Sequence, residues 1–143
     1  MIEAATDRDL AQVRSLLEQH HLPIDGIDDH LGTMLVVRDG SRVVGTAALE
    51  LYPGGALLRS VAVDAGQQGR QLGHQLTEAA LRLAQDHGAE AVFLLTTTAE
   101  RFFPRFRFEQ IAREEVPASV RASVEFTSAC PASAIVMRKR LAR

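Results

Sequence analysis

The sequence predicts a single α/β domain in which one β-sheet, part hairpin and part crossover, is flanked by helices. Three observations predict it. Apolar residues at Leu72, Leu76, Ala79, Ala80, Leu83 and Ala84 recur at the i, i+4, i+7 spacing of a helix with one buried face, and a shorter stripe lies near the start. Runs rich in β-branched and apolar residues at 34–38, 42–51, 56–63 and 91–97 have the length and composition of strands. The long helical stripe separates the last two runs, and a strand–helix–strand order sets its two strands parallel.

The elements follow in order. Thr6 and Asp9 precede apolar residues at Leu10, Val13, Leu16 and Leu17, the pattern of a capped amphipathic helix. It ends near residues 20–22, because Pro23 disfavours a helical residue before it. The acidic, turn-rich stretch 22–32 reads as a loop or a short second helix. Asp39-Gly40 between two apolar runs is a hairpin turn, and Pro53-Gly54-Gly55 is a second tight turn. Gly88 stops the long helix just past its last turn. Beyond the 91–97 strand the sequence predicts a short helix at 99–106, a strand at 108–115, a helix at 117–126 with Pro117 leading it, and a last strand at 134–141.

A chain of 143 residues, 46% of them hydrophobic, can bury a core without disulfide or metal staples. Its net charge of −2, with the basic residues dispersed, lacks the electrostatic footprint of a nucleic-acid binder. One cysteine, Cys130, excludes an internal disulfide and fits a reducing compartment. The first residues carry no signal-peptide run, and no stretch approaches the ~20 apolar residues of a membrane span. The expectation is a cytoplasmic protein with no membrane and no nucleic-acid partner. The histidines are scattered, and the adjacent pair His20–His21 points in different directions on a helix, so no metal site is expected.

The segment Gln68-Gly69-Arg70-Gln71-Leu72-Gly73 joins a strand to the long helix. A helix start exposes backbone N–H groups and the positive end of its dipole, which hold phosphate without a charged side chain. Gly69 permits the turn, Gly73 lets a ligand approach the first helical turn, and Arg70 adds charge at the rim. The Walker pattern is excluded because His74 follows Gly73, and the dinucleotide pattern is absent from this turn. A glycine-bearing turn that binds nothing is common, so the loop alone does not decide.

Ser60-Val61-Ala62-Val63 followed by the Gln68–Gly73 segment resembles the GNAT superfamily of N-acetyltransferases, whose loop motif is Arg/Gln-x-x-Gly-x-Gly/Ala after an apolar-Ala-Val strand end. Gln68 and Gly73 fit the motif. Gln71 stands where the family has glycine, and a positive φ there would strain it, so the reading allows the loop to shift instead. Downstream, Ala99, the pair Phe102–Phe103 and Phe108 repeat the family's Ala, aromatic pair and Gly-Phe order, with Arg107 in place of the glycine. The resemblance implies a mixed, mostly antiparallel sheet with a central splayed parallel strand pair, binding acetyl-CoA as co-substrate. It implies that main-chain groups of Val61 and Val63, on either side of Ala62, pair with the pantetheine arm, as does Thr96 at a position that is often Asn. A homodimer is common in the family.

Acyl transfer to an amine calls for a neutral nucleophile and a way for the thiolate to leave. The family's usual acid, a Tyr in the aromatic pair, is here Phe103, which has no proton to give; the one tyrosine, Tyr52, is remote in sequence. Glu50, the acid within an apolar strand, is the candidate base, its other reading being a solvent-facing strand residue. Arg59 and His30 are candidate substrate contacts, the other reading of Arg59, and the one favoured, being an ion pair across the sheet. The stretches 94–103, 116–121 and 130–134 are similar to GNAT proteins associated with arsenic-resistance operons. The function expected is transfer of an acetyl group from acetyl-CoA to a small-molecule amine. The alternative is a non-catalytic acyl-CoA-binding regulatory module.

Overall fold

The computed structural model describes residues 1–67 and 71–141. Strands β1 (Ile2–Ala4), β2 (Met34–Asp39), β3 (Arg42–Tyr52), β4 (Gly55–Val63), β5 (Ala91–Thr96), β6 (Glu109–Ile111) and β7 (Ile135–Arg140) form one sheet in the order β1-β2-β3-β4-β5-β7-β6. Every neighbouring pair is antiparallel except β4 with β5. Because side chains alternate along a strand, Ala47, Leu49 and Leu58 face one side and Ala48 and Leu57 the other. Helix α2 (Leu72–Asp86) buries Leu76, Ala80 and Ala84 on the first face, beside Phe103, Phe106 and Phe108. Helix α1 (Leu10–Gln19) and the single turn α3 (Ala118–Arg121) cover the second face with Val13, Leu16, Leu17 and Val120.

The 3-10 turn Asp7–Asp9 that leads into α1 is fixed by its cap. The Thr6 N–H donates to the Asp9 carboxylate at 2.8 Å, and Asp9 in turn pairs with Arg38 of β2 at 2.6 Å. The hydrogen bond from Arg38 holds the Asp9 carboxyl below its usual value despite burial. Strand β1 is an addition to the sequence reading. Three residues are too few for a period-2 signal, yet Ile2 to Ala4 pair with Leu35 to Val37.

Three other expectations change. The 99–106 helix is a 3-10 turn at Phe103–Phe106 that Pro104 starts and Arg107, with φ +70°, ends. The 108–115 strand stops at Ile111, where the Glu115 carboxylate caps a turn by accepting the Ala112 N–H at 2.9 Å. The 117–126 helix breaks after Arg121 and gives way to a π-helical turn, Glu125–Ala129, closed by the Cys130 N–H on the Glu125 carbonyl at 3.1 Å.

The parallel pair is short. A Cβ on Gly55 would stand 2.8 Å from the Phe93 ring and 3.0 Å from the Ala91 carbonyl, so a glycine permits β4 to meet β5 there. Pairing holds at Ala56–Val92 and Leu57–Phe93. Past it, Ala48 pairs with Arg59 and Thr46 with Ala62, so three steps of β4 oppose two of β3. Ser60, at φ +60°, sits in this bulge. A bulge bends its strand, and β4 turns away from β5. The predicted mixed sheet with a splayed parallel pair between helices is the fold observed. No helix among the described residues is long and apolar enough to cross a membrane.

Candidate functional site

The divergence of β4 and β5 opens a cleft of about 550 Å³. Val61, Ala62 and Val63 form one wall; Leu94, Leu95 and Thr96 form the other, with Phe102, Phe103 and Gly73 near one end. A second cavity, about 620 Å³, is lined by Gln71, Leu72, Gly73, His74 and Arg105 and shares Val63, Gly73 and Phe102 with the first. The two adjoin at these residues, between the start of α2 and the sheet.

At that helix start Gln71 takes the left-handed conformation, φ +60° and ψ 23°, and its side chain makes no cap hydrogen bond. Gln71 therefore adopts the positive φ that the sequence reading expected a shifted loop to avoid. Its carbonyl accepts the Gln75 N–H at 3.0 Å. The amides of Leu72, Gly73 and His74 precede that first turn's closure, as the orphan donors of any helix do. A Cβ on Gly73 would meet Phe102 and Val63 at 3.8 Å, an ordinary contact, so the missing side chain leaves room in the cleft without being required by packing. Gln68, Gly69 and Arg70 lie outside the described residues.

Thr96 accepts the Ala99 N–H at 2.8 Å and the Thr98 N–H at 3.3 Å, fixing the turn after β5. Phe103 is 7% exposed and packs edge-on against Phe102 and Phe108 at 5.1 and 5.7 Å between ring centres.

The other end of the cleft is walled by His20 to Pro23, Arg59, Glu125 and Ala129 to Pro131. Beneath it lies a buried polar cluster between the α1 and α3 apolar groups. Arg59 donates to Glu50 at 2.8 Å, to the Asp25 carbonyl at 2.6 Å and to the Ser60 hydroxyl at 3.1 Å, and its Nε lies 3.4 Å from Glu125. This is the cross-sheet ion pair, with a second carboxylate added. Glu50 is fully buried, not solvent-facing, and also accepts from the Tyr52 and Ser123 hydroxyls. His30 Nε2 lies 3.6 Å from Glu50, and neither is among the cleft's wall residues. Burial raises the Glu50 carboxyl, but the hydrogen bonds from Ser123, Tyr52 and Arg59 outweigh it and hold Glu50 below its ordinary value. Burial together with the bond to Glu50 pushes the Tyr52 phenol up to about 12.

Glu125 has the opposite setting. Burial pushes it up to about 7, with Arg59 drawing it down and Glu50 raising it further. The neighbouring Cys130 thiol is pushed up to about 12 by burial and by Glu125. Sequence reasoning missed Glu125 and Arg105. The signal for Glu125 was an acid between Val124 and Phe126 in an apolar stretch.

The model of the acetyltransferase (GNAT) family matches residues 3–108. The chain belongs to this family. It is 38% identical over 80 residues to the amino-acid acetyltransferase of Mycobacterium tuberculosis, a match covering 55% of this chain and 45% of that protein, so the chain spans about half the length of that curated relative. Rv2747 of the same organism, solved in complex with CoA, superposes with a TM-score of 0.84 over 99% of both chains at 22% identity. N-acetylglutamate synthase of Neisseria gonorrhoeae, complexed with coenzyme A and N-acetyl-glutamate, gives 0.85 over all of this chain and 35% of its own at 19% identity. At such identities the superpositions speak for the fold. The cleft lies where the parallel pair of this fold diverges.

Proposed function

We propose that this acetyltransferase moves the acetyl group of acetyl-CoA directly to the amine of a small molecule, with no acyl-enzyme. One observation carries the reading: two adjoining cavities run from the first turn of α2, between the diverging strands, to buried ionisable groups. The residues suit the co-substrate. First-turn amides and Arg105 fit a diphosphate, together with Gln68, Gly69 and Arg70. The open edges beside Val61 and Thr96 fit an amide-bearing arm, because a strand edge pairs readily with an extended ligand. Phe103 closes the cleft as an apolar wall. A thiolate whose parent thiol titrates at about 8.5 leaves without an acid of its own, which accommodates Phe103 in place of tyrosine.

Glu50 and His30 enter this proposal behind the cleft, acting through Arg59: a carboxylate with three donors is a poor proton acceptor and a good anchor. The binding-module alternative gives the buried ionisable end of the cleft no task, which favours transfer. Amino acids head the acceptor classes, since one relative is named an amino-acid acetyltransferase. The similarity to proteins associated with arsenic-resistance operons adds amino-acid-like arsenicals, and a cytoplasmic homodimer is the setting proposed.

The test is release of CoA thiol from acetyl-CoA with the amino acids, C2–C6 mono- and diamines and amino-acid-like arsenicals as acceptors. At least one acceptor should raise release well above the rate without amine. A flat response across all three classes contradicts the transferase reading.

A further inference from the structure

Resting on that reading, we propose that Glu125 is the catalytic base: the acceptor's ammonium group docks on its carboxylate from the cleft and hands it a proton. The first support is placement. Glu125 lines the cleft beside Arg59 and Cys130, whereas Glu50 is enclosed by Tyr52, Ser123 and Arg59. The second is charge. One guanidinium, Arg59, stands between two buried carboxylates, so the pair Glu50 and Arg59 is balanced and Glu125 is left in excess. A buried excess charge is costly unless matched, and an ammonium arriving through the cleft matches it.

The third is backbone. Glu125 opens the π-helical turn, and its N–H donates to the Ser123 Oγ at 3.2 Å, the same hydroxyl that donates to Glu50. One serine thus holds the Glu50 carboxylate and the Glu125 backbone, and the wide turn brings Cys130 round beside Glu125. Such turns recur at functional sites.

The groups facing Glu125 are Arg59 on β4, Glu50 on β3, Asp25 on the loop after α1, and Cys130 on its own segment; His30 lies behind Glu50 and Arg113 beyond Cys130. This setting raises its affinity for a proton to near neutrality, where a base is most useful. The step balances. The ammonium loses one proton to Glu125; the neutral nitrogen forms a bond to the acetyl carbon; the carbon–sulfur bond breaks with its electron pair on sulfur; and the second nitrogen proton ends on the thiolate. Glu125 returns its proton to solvent.

The experiment compares wild type with Glu125→Gln, using the amino acids, C2–C6 mono- and diamines and amino-acid-like arsenicals as acceptors and acetyl-CoA affinity as control. The proposal expects wild-type kcat/KM to rise with pH through about 7, allowing for the acceptor's own titration. In the variant kcat/KM should fall by roughly 100-fold and lose that limb, with acetyl-CoA Kd within twofold and a thermal midpoint no lower than that of wild type. A variant that keeps the wild-type rate and pH limb overturns the proposal and leaves the transferase reading standing. Wild type inert toward every acceptor overturns both.

Discussion

Glu125 and Glu50 are the same side chain with opposite behaviour, and the difference lies in what their oxygens touch. Glu50 meets two hydroxyls and a guanidinium, so its charge is favoured in spite of burial. Glu125 has Arg59 at 3.4 Å, too far to offset its burial, and feels the Glu50 charge besides. The consequence reaches stability. With a folded value of about 7 against an ordinary 4.5, the folded protein holds this proton more tightly than the unfolded chain. Its contribution is complete below about pH 4.5 and is lost as pH rises through 7, a change of roughly 3 kcal/mol. Glu125→Gln cannot lose that proton. Urea unfolding of both proteins between pH 5 and 7.5 should therefore show wild type declining relative to the variant. Parallel stability curves would contradict the assignment of the shift to Glu125.

At the scale of elements, the start of α2 is the informative junction. A glutamine at φ +60° forgoes the preference of L-residues for negative φ, at about 1 kcal/mol. Gln71→Gly should raise unfolding stability by about that amount while leaving acetyl-CoA affinity unchanged, both read on the same preparation. A destabilised variant would mean that the Gln71 side chain has a partner that repays its strain. This junction was legible in the sequence because it is local: strand, glycine-bearing turn and striped helix follow one another within thirty residues. The segment after Arg107 was not. Residues 113–115 and 125–129 owe their turns to Glu115 and Ser123 hydrogen bonds, which override the strand and helix patterns of the same residues.

Across the whole molecule, one sheet interrupts its own hydrogen bonding at its centre. Gly55 brings β4 and β5 together, and the Ser60 bulge takes them apart. The sequence pattern showed both strands and their parallel sense, but their divergence reached the sequence reading only through family resemblance, since a bulge at a serine has no compositional signal. The polar cluster was half legible for a related reason. Arg59 and Glu50 lie nine positions apart on adjacent strands, so their pairing follows from the hairpin. Glu125 comes from a segment 66 positions beyond Arg59, and contact over that distance is a product of folding.

The opened sheet gives the account its most direct test. Calorimetric titration of acetyl-CoA into wild type and Gly73→Glu compares a clear helix start with one carrying an anionic side chain where only ordinary contacts await it. The account predicts one acetyl-CoA per chain for wild type and at least tenfold weaker binding for the variant, a loss of about 1.4 kcal/mol or more, with both unfolding at the same temperature. Equal affinities, or no heat with wild type, would contradict it.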